Sequence, residues 1–234
     1  MAAKVSSKLY LVNSISKYLS QYHRKLLFNA LVLPHLDYCS AVWSSSTKTQ
    51  LDPLLKLYKR AGRMILGVPL CTPTAHVLST LGWPTLENRW KYNKCCLLFN
   101  VLHNKSPSYL YENFTLGNQY HSYSTRSATS QGLVLPKVKT NFGKRTFLFD
   151  ACLTWNSLKI ETRQSPSVTT FKSNCKKDLG WKIQNSDFFS NADLLIEMDP
   201  HENLCYCTYC KYFDVYLFLL FFSGTPGRTV SNTE

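Results

Sequence analysis

Leu9, Val12, Ile15 and Leu19 recur at three-to-four spacing and predict an amphipathic first helix. Ser20 is placed to cap a second, SQYHRKLLFNALVL, which Pro34 should stop or kink. Residues 36–43, LDYCSAVW, then read as a short helix. Leu36, Cys39 and Trp43 form its packing side, Tyr38 lies at the margin, and Asp37 and Ser40 turn towards solvent.

The clearest pattern lies in TKTQLDPLLKLYKRAGRMILG. Thr47 or Thr49 can cap this helix, Pro53 falls in its first turn, and Gly67 is positioned to end it. At 100° per residue, Leu51, Leu54, Leu55, Tyr58, Gly62 and Ile65 share one face. Lys56, Lys59, Arg60 and Arg63 share the other. TPTAHVLSTLG predicts a short helix closed by Gly82, and Thr85 caps a long one, LENRWKYNKCCLLFNVLHNK.

Residues 111–131 have the polar, turn-rich composition of a loop. GLVLPKVK reads as a strand or extended segment, with Pro136 opposing a central position. FLFDACLTWNSL leans towards helix, and SVTTFKSNCKKDL predicts a final helix with Phe171, Cys175 and Leu179 inward. The fold class is therefore mainly α with minor extended segments. Segments are expected at 1–68, 69–180 and 181–234.

Charge sharpens the last boundary. Residues 1–180 carry 24 Lys+Arg against 7 Asp+Glu, whereas residues 181–234 carry 3 against 7. The overall net charge of +13 points to a polyanionic partner, nucleic acid or an acidic membrane surface. For a membrane helix, YFDVYLFLLFF at 212–222 is shorter than the roughly 20 residues needed, and Asp214 interrupts it. A membrane role is therefore not expected.

Nine cysteines, an odd number, and an opening stretch without a long apolar run favour free thiols in a reducing compartment. The expected location is intracellular, nucleus or cytoplasm, and not secreted, so the sequons at Asn104 and Asn113 carry no weight.

Catalytic patterns are scarce. No two acidic residues are adjacent, and neither Gly-x-Ser-x-Gly nor Gly-x-x-x-x-Gly-Lys occurs. His35 precedes Cys39 by one helical turn, but the apolar setting favours a packed thiol. His201, Cys205, Cys207 and Cys210 have the ligand types for zinc. Only Cys207 and Cys210 have good spacing, and a second such pair is missing. No cofactor is expected.

Taken in order, HRKLLFNALVLPHLDYCSAVW, LDPLLKLYKRAGRMILG, LGWPTLENRWKYNK, SPSYLYENF, TRSATSQGLVLPKV, FDACLTWNSL and FKSNCKKDL form a recognisable series. The series resembles the C-terminal part of the reverse transcriptase of LINE-type (non-LTR) retrotransposons, especially jockey-like and chicken-repeat-like elements. It spans about residues 5–180. The resemblance implies the thumb and the region after the polymerase palm, without the palm's aromatic-Ala-Asp-Asp turn or the endonuclease.

One departure stands out. Where the family has Trp-Asn-x-Leu-Pro followed by Ile-Arg, this chain reads Trp155-Asn156-Ser157-Leu158-Lys159-Ile160-Glu161-Thr162-Arg163. That suggests a decayed copy or a locally altered turn.

The function implied is accessory and non-catalytic: duplex or single-strand binding, with Lys56, Lys59, Arg60 and Arg63 on phosphates. Four contacts would give a slope of log affinity on log salt of about −3 to −4. The alternatives are an inert relic of a truncated transposon copy and a stand-alone basic RNA-binding module.

Overall fold

A computed structural model describes residues 1–103, 108–117 and 131–181. Of the described part 70% is helical and no sheet forms, so the chain is mainly α. The helices are α1 (Ala2–Ile15), α2 (Gln21–Leu31), α3 (Leu33–Asp37), α4 (Ser40–Trp43), α5 (Lys48–Leu66) and α6 (Thr74–Leu81). They continue with α7 (Leu86–Leu102), α8 (Ser108–Tyr111), α9 (Phe147–Asn156), α10 (Ile160–Arg163) and α11 (Val168–Asp178).

Local chemistry sets many of the ends. The hydroxyls of Ser20, Thr85 and Ser167 accept the amides of His23, Asn88 and Thr170, satisfying donors that a helix start leaves orphaned. Gly67 and Gly82 close α5 and α6 at φ 70° and 69°, a conformation that costs glycine little. Pro53 differs from expectation. The helix begins at Lys48, so the proline sits in its second turn. At α1 the buried stripe is Val5, Leu9 and Val12, while Ile15 is exposed.

Two apolar clusters organise the chain. The first joins α1, α2, α5 and α6, with Phe28, Tyr58, Ile65 and Trp90 among its buried members. Trp83 seals it, stacking on Phe28 at 4.8 Å and on Tyr58 at 5.1 Å. Gly62 lets α6 lie close, since a Cβ there would meet Val77 Cγ1 at 2.8 Å. The helices on either side of residue 68 thus share one cluster.

The second cluster joins α7, α9 and α11 through Leu98, Phe99, Trp155, Phe171 and Cys175. Phe171 stacks on Phe99 at 4.3 Å and faces Trp155 at 5.7 Å. The clusters meet on α7, between Trp90 and Cys95.

The segment after 131 is extended but makes no strand. One isolated bridge links Leu116 and Leu133, and the Asn156 side chain brackets Leu133, accepting its amide at 2.9 Å and donating to its carbonyl at 2.8 Å. Lys159, where the chain departs from the pattern it resembles, has φ −63°, which proline also adopts. Its amide, however, donates to Asp178 Oδ2 at 3.2 Å, a bond proline lacks. The same carboxylate oxygen accepts from Thr162 Oγ1 at 2.7 Å. These two bonds tie the turn at Lys159 to α11.

Candidate nucleic-acid interface

The four cations predicted as one stripe on α5 divide three ways. Lys56 and Arg60 face α1 and line an open groove of ≈ 400 Å³ whose opposite wall is Ala2, Ala3 and Ser6. Lys59 is exposed but turned away from that groove. Arg63 leaves the stripe altogether.

Arg63 is half-buried because its guanidinium pins the connector between α5 and α6. Its Nε and Nη2 donate to the Thr72 carbonyl at 3.0 and 2.8 Å, and Nη2 also reaches Thr74 Oγ1 at 2.9 Å. The planar guanidinium reaches these acceptors from two separate nitrogens, a fork that the single ammonium of a lysine lacks. Arg63 acts as a structural clamp, and the exposed cations of the predicted stripe are Lys56, Lys59 and Arg60.

The groove continues towards the C-terminal end of α5, where Tyr10 and Asn13 of α1 face Arg60 and Met64. Arg24 holds this end in place. Its Nε donates to the carbonyls of Ser16 and Leu19 at 2.9 and 3.0 Å, and its Nη1 lies 3.5 Å from those of Met64 and Ile65. From residue 1 to 86 the chain carries ten Lys+Arg and two acids, Asp37 and Asp52. Asp52 lies one turn before Lys56 and offsets part of the local field. Asp37 is neutralised elsewhere.

That neutralisation occupies LDYCSAVW. Ser40 is buried and Asp37 is only partly open to solvent. Arg89 of α7 grips the Asp37 carboxylate through Nε at 2.8 and 3.0 Å and through Nη2 at 2.7 Å, and the Asn93 amide bridges Asp37 at 3.3 Å and Ser40 at 3.0 Å. Ser40 is 1% exposed. The indole N–H groups of Trp90 and Trp43 donate to the carbonyls of Leu36 and Tyr38, at 3.0 and 2.6 Å.

A short continuous helix could not present these groups inward. The chain breaks at Cys39, whose φ of 50° is left-handed, and restarts as α4. Burial alone would lower the Arg89 pKa. The adjacent Asp37 charge and hydrogen bonds more than offset this, so the guanidinium is held above its ordinary value.

No family model, curated protein or solved structure matches this chain. The groove and its charges are therefore read from their own geometry. Among the described residues no group of three or more His, Cys, Asp or Glu is placed to hold a metal ion. The zinc candidates His201, Cys205, Cys207 and Cys210 lie outside the described residues. No described helix is long and apolar enough to cross a membrane.

Sequence reasoning missed a second interior charge. Lys94 of α7 is 3% exposed and paired with Asp150 of α9. Below α7, Trp181 takes Lys176 and Arg89 against its ring, at 5.5 and 5.8 Å from the centroid. Two buried thiols hold their protons more tightly than usual. Burial pushes Cys152 up to about 11, and the hydrogen bond to Cys95, with burial, raises Cys175 further.

Proposed function

We propose that this chain binds nucleic-acid backbones without catalysing a reaction on them, as an accessory region of a LINE-type retrotransposon reverse transcriptase. The observation that carries the binding reading is the α5 surface. Lys56, Lys59 and Arg60 project from one rigid helix, on a stretch of 86 residues with ten cations and two acids. Phosphates gain most from such a surface because binding releases condensed counterions. The retrotransposon part rests on the ordered series of segments from residue 5 to 180.

Titrating a labelled oligonucleotide over a range of salt tests the binding. Three contacts predict a slope of about −2 to −3 in log affinity against log salt. Lys56→Ala/Lys59→Ala/Arg60→Ala should flatten that slope and weaken binding for every sequence tested. An unchanged slope in the triple variant would reduce the surface to a solvated helix face. The family reading has a separate test in the genomic DNA just upstream of the Met1 codon. Palm motifs there, open or broken by stops, support it, and unrelated sequence overturns it.

A further inference from the structure

The groove between α1 and α5 combines two kinds of surface that its charge alone does not require. Arg60 and Lys56 supply cations on one wall, and Tyr10 stands on the other, sharing its lining with Arg60 and Met64. Tyr10 is 75% exposed, an arrangement that leaves most of an aromatic face in water. Tyr18, at 88%, follows in a turn (Ser16–Tyr18) that Arg24 staples to the end of α5. Single exposed apolar side chains are ordinary on protein surfaces. An exposed ring beside an arginine in a groove on a basic helix is more specific, because it offers a stacking face next to a phosphate contact.

We propose that this groove takes single-stranded nucleic acid, with a base stacked on Tyr10 while Arg60 and Lys56 hold the neighbouring phosphates; the proposal rests on the backbone-binding reading above and names the strand state it favours. A duplex keeps its bases stacked on one another inside the helix, so Tyr10 gains nothing from it. An unpaired base has a free π-face, and stacking on aromatic side chains tolerates any base. The groove holds ≈ 400 Å³ beside Lys56 and Arg60 and narrows to ≈ 80 Å³ where Tyr10 lines it, too little there for a double helix.

Fluorescence anisotropy on the full chain tests this, with a labelled oligothymidine and a blunt duplex of equal length at fixed salt. The single strand should bind more tightly. Tyr10→Ala should weaken the single strand by roughly tenfold or more while leaving the duplex unchanged, and Tyr10→Trp should restore it. Because Tyr10 is mostly exposed, these variants should keep the parent's circular dichroism. If Tyr10→Ala has no effect while Lys56→Ala/Arg60→Ala weakens both ligands, stacking is overturned and backbone binding survives. If neither ligand binds the parent chain, both readings fall.

Discussion

Asp37→Ala is the perturbation that tests the interior most sharply. The substitution removes the carboxylate that holds Arg89 through three contacts of 2.7 to 3.0 Å. The side chains are 14% exposed for Arg89 and 27% for Asp37, which places the pair near the buried limit. Removing one partner from a buried pair costs about 3–5 kcal/mol, against about 0–1 kcal/mol for an exposed one. Residual water access at Asp37 lowers the figure. The ring of Trp181 still compensates Arg89 by about 0.5–1 kcal/mol. The expected loss is about 2–4 kcal/mol, a large share of the ~5–15 kcal/mol that a domain has.

Arg89→Met should cost less, about 1–2 kcal/mol, because Asp37 keeps Asn93 and some water. In the double variant the two losses should not add. Equilibrium urea unfolding, followed by tryptophan emission and far-UV circular dichroism, measures all three. A loss below about 0.5 kcal/mol for Asp37→Ala would refute the latch, as would its disappearance at 1 M salt, where exposed charges are screened.

Two further outcomes follow from the interior. Asp150→Ala should destabilise by about 3–5 kcal/mol, since it strands the Lys94 ammonium at 3% exposure, whereas Lys94→Met should be close to neutral in the same urea titration. Stability should also fall at alkaline pH. Cys152 rises from 9.0 to about 11 on folding, so the folded state retains its proton longer than the unfolded chain. The contribution is complete below about pH 9 and is lost as pH rises through about 11, totalling about 2–3 kcal/mol. Cys152→Ala should flatten the decline in thermal midpoint across that window.

The helix ends were legible in the chain because capping is local. Ser20, Thr85, Gly67 and Gly82 each act within a turn of their own position. The apolar stripe on α5 was legible for the same reason, since one face of a regular helix follows from spacing alone. The contacts of Arg63 were not legible, because its acceptors, at Thr72 and Thr74, belong to the connector after the helix.

LDYCSAVW was misread for a longer-range reason. Its partners Arg89 and Asn93 lie 52 and 53 to 56 residues away, and its break uses a left-handed Cys39 that no glycine announces. Lys94 hid differently. Both clusters pack against α7, so that helix has no single solvent face from which a charged residue's position could be inferred.

The closing contacts on α7 give synthesis of the chain an order. Asn88 donates to the Leu179 carbonyl across 91 residues, and Arg89 waits for Trp181 one residue longer. At ~5–20 residues per second a ribosome needs about 5–18 s to bridge that interval. During that time the start of α7 has left the exit tunnel while its last covering elements have not been made. Asp37, already translated, is the one acid that can reach Arg89 in the meantime by the contact seen here. The Asp37–Arg89 pair can thus form before Leu179 and Trp181 are made, and a nascent chain lacking it would hold a charged, uncovered helix start until those residues emerged.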